Sequence, residues 1–88
     1  MTSRVLVWTS QGWEDYLHWQ TEDRRTLKRI NLLLTDVLRD APFEGIGKPE
    51  PLKHALAGAW SRRIDETNRL VYTANDHQVI ILQARYHY

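Results

Sequence analysis

The chain has 88 residues, carries twelve Lys or Arg against eleven Asp or Glu for a net charge of +1, and contains no cysteine. That length predicts one small domain over residues 1–88, which on folding buries roughly two-thirds of the surface exposed by the unfolded chain. The near-neutral balance excludes a generic polycation, and the missing thiols exclude disulfides, cysteine-bound zinc and thiol catalysis within these residues.

Residues 4–9 read as a short strand, because Val5, Leu6, Val7 and Trp8 are β-prone. Ser10 is placed to cap a first helix through its hydroxyl. Trp13, Tyr16, Leu17 and Gln20 then recur at helical spacing, and the stripe of Trp13 and Tyr16 is expected in the core. Thr21-Glu22-Asp23 opens a second helix, with acids where the helix dipole favours them. Leu27, Ile30, Leu34, Val37 and Leu38 form its apolar stripe. Arg24, Arg25, Lys28 and Arg29 lie off that stripe, and Pro42 is the stop signal. With no Gly or Pro between them, the two helices should make an antiparallel hairpin.

Residues 41–51 hold all three prolines and two of the four glycines and read as an irregular loop. Pro49 and Pro51 each fix their own φ, and Pro51 drives Glu50 toward an extended conformation. Glu50 therefore rides on a stiff backbone, which suits a catalytic group. After a turn at residues 56–58, strands are expected at 60–65, 69–73 and 78–85. Asp65-Glu66-Thr67-Asn68 and Asn75-Asp76-His77 supply the turns, and such short connections make neighbours antiparallel. The order β-α-α-β-β-β describes an α+β fold, a helical hairpin packed on a mainly antiparallel sheet.

Charge is unevenly placed. Residues 1–47 carry six Lys or Arg and seven Asp or Glu, whereas residues 48–88 carry six and four, with three of the four His. A mildly basic half points weakly to a phosphate-bearing partner. Within it, Lys48, Lys53 and His54 flank Glu50, Arg62, Arg63 and Arg69 lie on or beside adjacent strands, and Arg85-Tyr86-His87-Tyr88 closes the chain. A carboxylate, a histidine and several arginines are the parts that metal-free RNA cleavage needs. One group takes the 2′-hydroxyl proton, another protonates the departing oxygen, and cations stabilise the charged phosphorus centre. From the residues alone, plainer readings stand beside this one: a solvated glutamate, a half-buried strand with its charges outward, a polar tail. No His spacing suits a metal, and neither a Gly-x-Gly-x-x-Gly nor a Walker loop occurs.

Six strings then occur in order. They are Trp13-Glu14-Asp15-Tyr16-Leu17 with Trp19, Pro42-Phe43-Glu44-Gly45, and Gly47-Lys48-Pro49-Glu50-Pro51-Leu52-Lys53-His54. Gly58 with Trp60-Ser61-Arg62-Arg63-Ile64, Arg69-Leu70-Val71-Tyr72 and Arg85-Tyr86-His87-Tyr88 complete the set. On these the chain resembles the YoeB/Txe family of toxins, in the RelE superfamily, over nearly its whole length. The resemblance implies a microbial-ribonuclease-like fold and a toxin of a type II toxin–antitoxin pair that cleaves mRNA in the ribosomal A site without metal or cofactor. It implies Glu50 as general base, His87 as general acid, Arg69 as transition-state stabiliser and Tyr88 as an orienting group. Lys53 and Arg63 would meet phosphates, with Lys48, His54, Arg62 and Arg85 as further substrate contacts. It also implies a YefM-like antitoxin, contact with the 70S ribosome and its mRNA, and operator DNA reached through the antitoxin. A homodimer is an open alternative to a monomer. A ParE-like module that inhibits DNA gyrase shares the architecture and stands as the alternative function. The lack of disulfides in so small a domain points to the cytoplasm, and no apolar run is long enough for a signal peptide or a membrane span.

Overall fold

In the computed structural model, which describes residues 4–39 and 41–86, the chain runs β1 (Val5–Trp8), α1 (Ser10–Glu22), α2 (Arg24–Val37), β2 (Glu50–Pro51), a 3₁₀ turn (His54–Leu56), β3 (Trp60–Arg63), β4 (Arg69–Ala74) and β5 (Gln78–Gln83). The five strands form one sheet in the order β1-β5-β4-β3-β2. All pairs are antiparallel except β1 with β5, which run parallel with Val5 opposite Gln78 and Trp8 opposite Ile81. The expected α+β arrangement holds, with one parallel pair and one additional strand.

The hairpin is built from local chemistry. Thr9, not Ser10, caps α1: it is extended and its Oγ1 accepts from the Gly12 N–H at 3.0 Å, while Ser10 is the first helical residue. Asp23 closes α1 and opens α2. Its N–H donates to the Trp19 carbonyl, and its carboxylate accepts from the N–H groups of Arg25 and Thr26. One residue thus satisfies orphan groups of two helices, so no Gly or Pro is needed between them. The second helix stops at Val37, before the proline is reached.

One face of the sheet takes the helices. Ile30, Leu33, Leu34 and Val37 of α2 and Trp19 of α1 pack with Leu70, Tyr72, Val79, Ile81 and Ala84. The expected α1 stripe is rotated, because the inward line is Gly12, Asp15 and Trp19. Trp13 and Leu17 stay 44% and 41% exposed, and Tyr16 is only partly buried. Gly12 sets this rotation. A Cβ there would lie 2.5 Å from the Ile81 carbonyl oxygen, so its absence lets α1 settle on the backbone of β5. Trp13 instead joins Trp8 and Tyr16 in an aromatic group on the flank, with centroid separations of 4.9–6.0 Å.

The other face carries only a small cluster, Leu52, Ala59 and Val71 with Leu56 and Leu82 alongside. The segment expected to be loop throughout contains β2, where Glu50 lies opposite Ser61 and Pro51 opposite Trp60. Proline is tolerated there because β2 is an edge strand.

Candidate functional site

Residues directly opposite in an antiparallel pair project to the same face. Glu50 faces Ser61, Ser61 faces Val71, and Val71 faces Gln83, so these four form a row across β2, β3, β4 and β5. Val71 belongs to the small cluster away from the helices, which fixes the row on the open face. One step along, Arg63 lies opposite Arg69 on that same face. The sheet thus brings together Glu50, Arg63 and Arg69 from three strands.

Lys53 and His54 join them beside Glu50. Together with Pro51, Leu52 and Leu56 these residues line a hollow of about 310 Å³. Lys48 is exposed two positions before Glu50, and the Gly47 carbonyl accepts from the Arg63 N–H at 2.7 Å, which ties this stretch to β3. Arg85 follows β5, with its guanidinium 4.4 Å from the centroid of the exposed Tyr86 ring. The Tyr86 carbonyl accepts from the Arg69 N–H at 3.0 Å, so the end of the chain returns to the start of β4. His87 and Tyr88 lie outside the described residues.

Arg69 is held rather than splayed. Its Nη1 donates to the carbonyls of Asp65 at 2.6 Å and Asn68 at 3.1 Å, and the residue is 8% exposed. Desolvation works against the Asp65 carboxylate. Hydrogen bonds from the Asn68 side chain and from the N–H groups of Asn68 and Thr67, with Arg69 nearby, outweigh it and hold the carboxyl below its ordinary value. The turn therefore stays ionised and rigid around the arginine.

Arg62 does not reach this face. Period-two alternation puts it with Trp60, on the side of the helices, where it is fully buried. It pairs with Asp36 and donates to the carbonyls of Pro42, Glu44 and Ile46 at 2.7–3.1 Å and to the Tyr72 hydroxyl at 3.1 Å. Tyr72 in turn donates to the Pro42 carbonyl at 2.7 Å. The expected substrate contact is instead a staple that gathers residues 42–46 against β3. The hydrogen bond from Arg62 holds the Asp36 carboxyl below its usual value, and burial pushes the Tyr72 hydroxyl up. Neither Asp36 nor Tyr72 stood out in the sequence as part of a site. The signal was the parity of Trp60-Ser61-Arg62-Arg63, since a buried arginine needs a buried acceptor.

The backbone adds a further mark. The described non-glycine residues with positive φ are Lys48 (51°), His54 (59°) and Tyr86 (63°). Such conformations are held only where surroundings enforce them, and they concentrate at functional sites. All three border the open face around Glu50 and Arg69. A carboxylate among cations, of which Arg69 is held in place, on an uncovered sheet face is suited to a phosphodiester substrate. Like charges directly opposite each other, as Arg63 and Arg69 are, destabilise a sheet unless an anion lies between them. No group of three or more His, Cys, Asp or Glu able to hold a metal occurs among the described residues.

Residues 8–88 match the family described as YoeB-like toxin of bacterial type II toxin–antitoxin system. The chain belongs to the YoeB family of toxins. It is 61% identical over 83 residues to Toxin YoeB of Streptomyces coelicolor, covering 94% of this chain and 98% of that one. The YoeB dimer of Staphylococcus aureus superposes with a TM-score of 0.90 at 43% identity, over 98% of this chain and 99% of that one. A YoeB–YefM complex from the same organism superposes with a TM-score of 0.87 at 42% identity, over 97% and 98%. This YoeB-family chain is thus a toxin of the type II toxin–antitoxin kind.

Proposed function

We propose that this toxin is a metal-independent endoribonuclease that cuts mRNA in the A site of the 70S ribosome and so stops translation. The observation that carries the reading is the convergence of Glu50, Arg63 and Arg69 on the sheet face that the helices leave open. Glu50 takes the proton of a ribose 2′-hydroxyl, and the 2′-oxygen attacks the adjacent phosphorus. The bond to the 5′-oxygen breaks, and that oxygen leaves with a proton from His87. The products are a 2′,3′-cyclic phosphate and a 5′-hydroxyl. Arg69, fixed by the turn carbonyls, faces the charge that builds on the phosphoryl oxygens. Tyr88 orients the substrate. Lys48, Lys53, His54, Arg63 and Arg85 hold the flanking phosphates, and Tyr86 offers an exposed ring for a base.

The whole chain works as one domain, in the compartment that holds the ribosomes. A YefM-like antitoxin neutralises it and, with the toxin as corepressor, binds operator DNA. The S. aureus relatives, a dimer and a YoeB–YefM complex, support a homodimer and that partner.

Primer extension on a defined mRNA, with and without programmed ribosomes, tests the activity. Cuts should fall at the A-site codon, only with ribosomes, and Glu50→Ala should reduce them by roughly 10²–10⁴-fold, the usual contribution of a general base. Cuts on naked RNA alone would make the protein a free ribonuclease. No cuts in either condition would turn attention to a binding role, with DNA gyrase the first target to assay.

A further inference from the structure

Beyond β5, which ends at Gln83, the chain is held by bonds that belong to no ladder. Ala84 is fully buried, its N–H donates to Asp15 Oδ2 at 3.0 Å, and its carbonyl accepts from Trp19 Nε1 at 2.8 Å. Two residues on, the Tyr86 N–H donates to Asn68 Oδ1 at 2.7 Å, and the Tyr86 carbonyl accepts from the Arg69 N–H at 3.0 Å. Alternate residues are thus gripped at both polar backbone groups. Side chains of α1 hold the first, and the β3–β4 turn holds the second.

The grip is costly. Asp15 is 4% exposed. Its partners are the Ala84 N–H and the Gln11 side-chain amide at 2.7 Å, and no cation of the described residues is in ion-pair contact with it. A buried carboxylate of this kind stabilises less than a well-packed apolar side chain would. Tyr86 adds a left-handed φ of 63°, which a tyrosine holds only under constraint. A fold selected for stability alone would need neither feature. Both have a use if the direction in which the chain leaves Tyr86 matters.

We propose that Asp15 and Trp19, supported by Asn68, are positioning residues that fix the direction in which the chain leaves Tyr86. The inference rests on the reading of His87 as general acid, because that residue follows the clamped Tyr86 directly. It also gives a purpose to the first of the six strings, Trp13-Glu14-Asp15-Tyr16-Leu17 with Trp19, which supplies two of the clamp's donors and acceptors but none of the groups assigned to the chemistry.

The test compares full-length wild type with Asp15→Leu, Asp15→Asn, Trp19→Phe and the core control Leu33→Ala. Cleavage on programmed ribosomes is measured well below each melting temperature, alongside backbone ¹⁵N relaxation of residues 84–86. A misaimed tail slows the chemical step. Asp15→Leu and Trp19→Phe should therefore lower kcat about 10–100-fold with KM moved by no more than about twofold. The same variants should raise the mobility of Arg85 and Tyr86. Asp15→Asn keeps an acceptor for Ala84 and should recover most of the rate. Leu33→Ala should lose thermal stability and keep kcat. Wild-type kcat and tail order in Asp15→Leu would overturn the proposal, as would an equal kcat loss in Leu33→Ala. If the wild type cuts nothing, the cleavage reading falls on its own. The relaxation comparison then upholds the clamp if tail mobility rises in the variants and overturns it if it does not.

Discussion

Arg62 shows how one side chain serves the site without touching it. Its guanidinium gathers three loop carbonyls, the Tyr72 hydroxyl and Asp36, and so fixes the stretch that leads into Lys48 and Glu50. Arg62→Met keeps the bulk but leaves the Asp36 charge and the carbonyls without a partner. It should cost about 3–5 kcal/mol in urea unfolding. The pair also makes stability depend on pH. Asp36 has its carboxyl held below the unfolded value of about 3.9 by the Arg62 hydrogen bond, so folding favours the ionised form. Its contribution is complete above the unfolded value and is lost as pH falls through the lower folded one. The stability gap between wild type and Asp36→Asn should therefore be constant above about pH 5 and shrink as pH falls from there through the lower folded value. A gap that stays constant through that fall would remove Asp36 from the acid limb.

At the scale of elements, α1 is positioned by what it lacks. Alanine at position 12 would improve helix propensity by about 0.8–1 kcal/mol. It would also place a methyl 2.5 Å from a strand carbonyl that cannot move without displacing β5. The clash should win, because overpacking against backbone costs about 1–3 kcal/mol. Gly12→Ala should thus lower the melting temperature, and a rise would show that α1 can lift off the sheet. The lifting would carry Asp15 and Trp19 away from Ala84, so this contact supports the tail as well as the core.

For the whole molecule, the sheet has one face sealed by helices and one left to solvent apart from a small apolar cluster. The open face keeps like charges side by side at Arg63 and Arg69. Such pairs lower stability in the free protein and become favourable when a phosphate lies between them. Arg63→Gln should therefore raise the melting temperature slightly while weakening cleavage, with the loss greatest at low salt, where the charge is least screened. A variant that loses both stability and activity would mean that Arg63 is a fold residue. No helix among the described residues is long and apolar enough to cross a membrane.

Much of the architecture was legible in the chain itself because its causes are local. Asp23 makes the hairpin joint, α2 shows its apolar period, the turns at residues 65–68 and 75–77 set antiparallel neighbours, and two prolines stiffen Glu50. The candidate site residues were legible only as chemical types grouped in the second half. What only the tertiary structure decided depends on contacts between distant residues. The parallel pairing of β1 with β5 joins residues more than seventy positions apart, and no local pattern encodes it. A two-residue strand such as β2 exists only because β3 is there to pair with it. The direction of Arg62 depends on which parity of β3 meets the helices, and the inward line of α1 on a glycine that carries no hydrophobic signal. Local hydrogen bonds and period specify elements, whereas the face each side chain takes is settled when the elements pack and every buried polar group must find its partner.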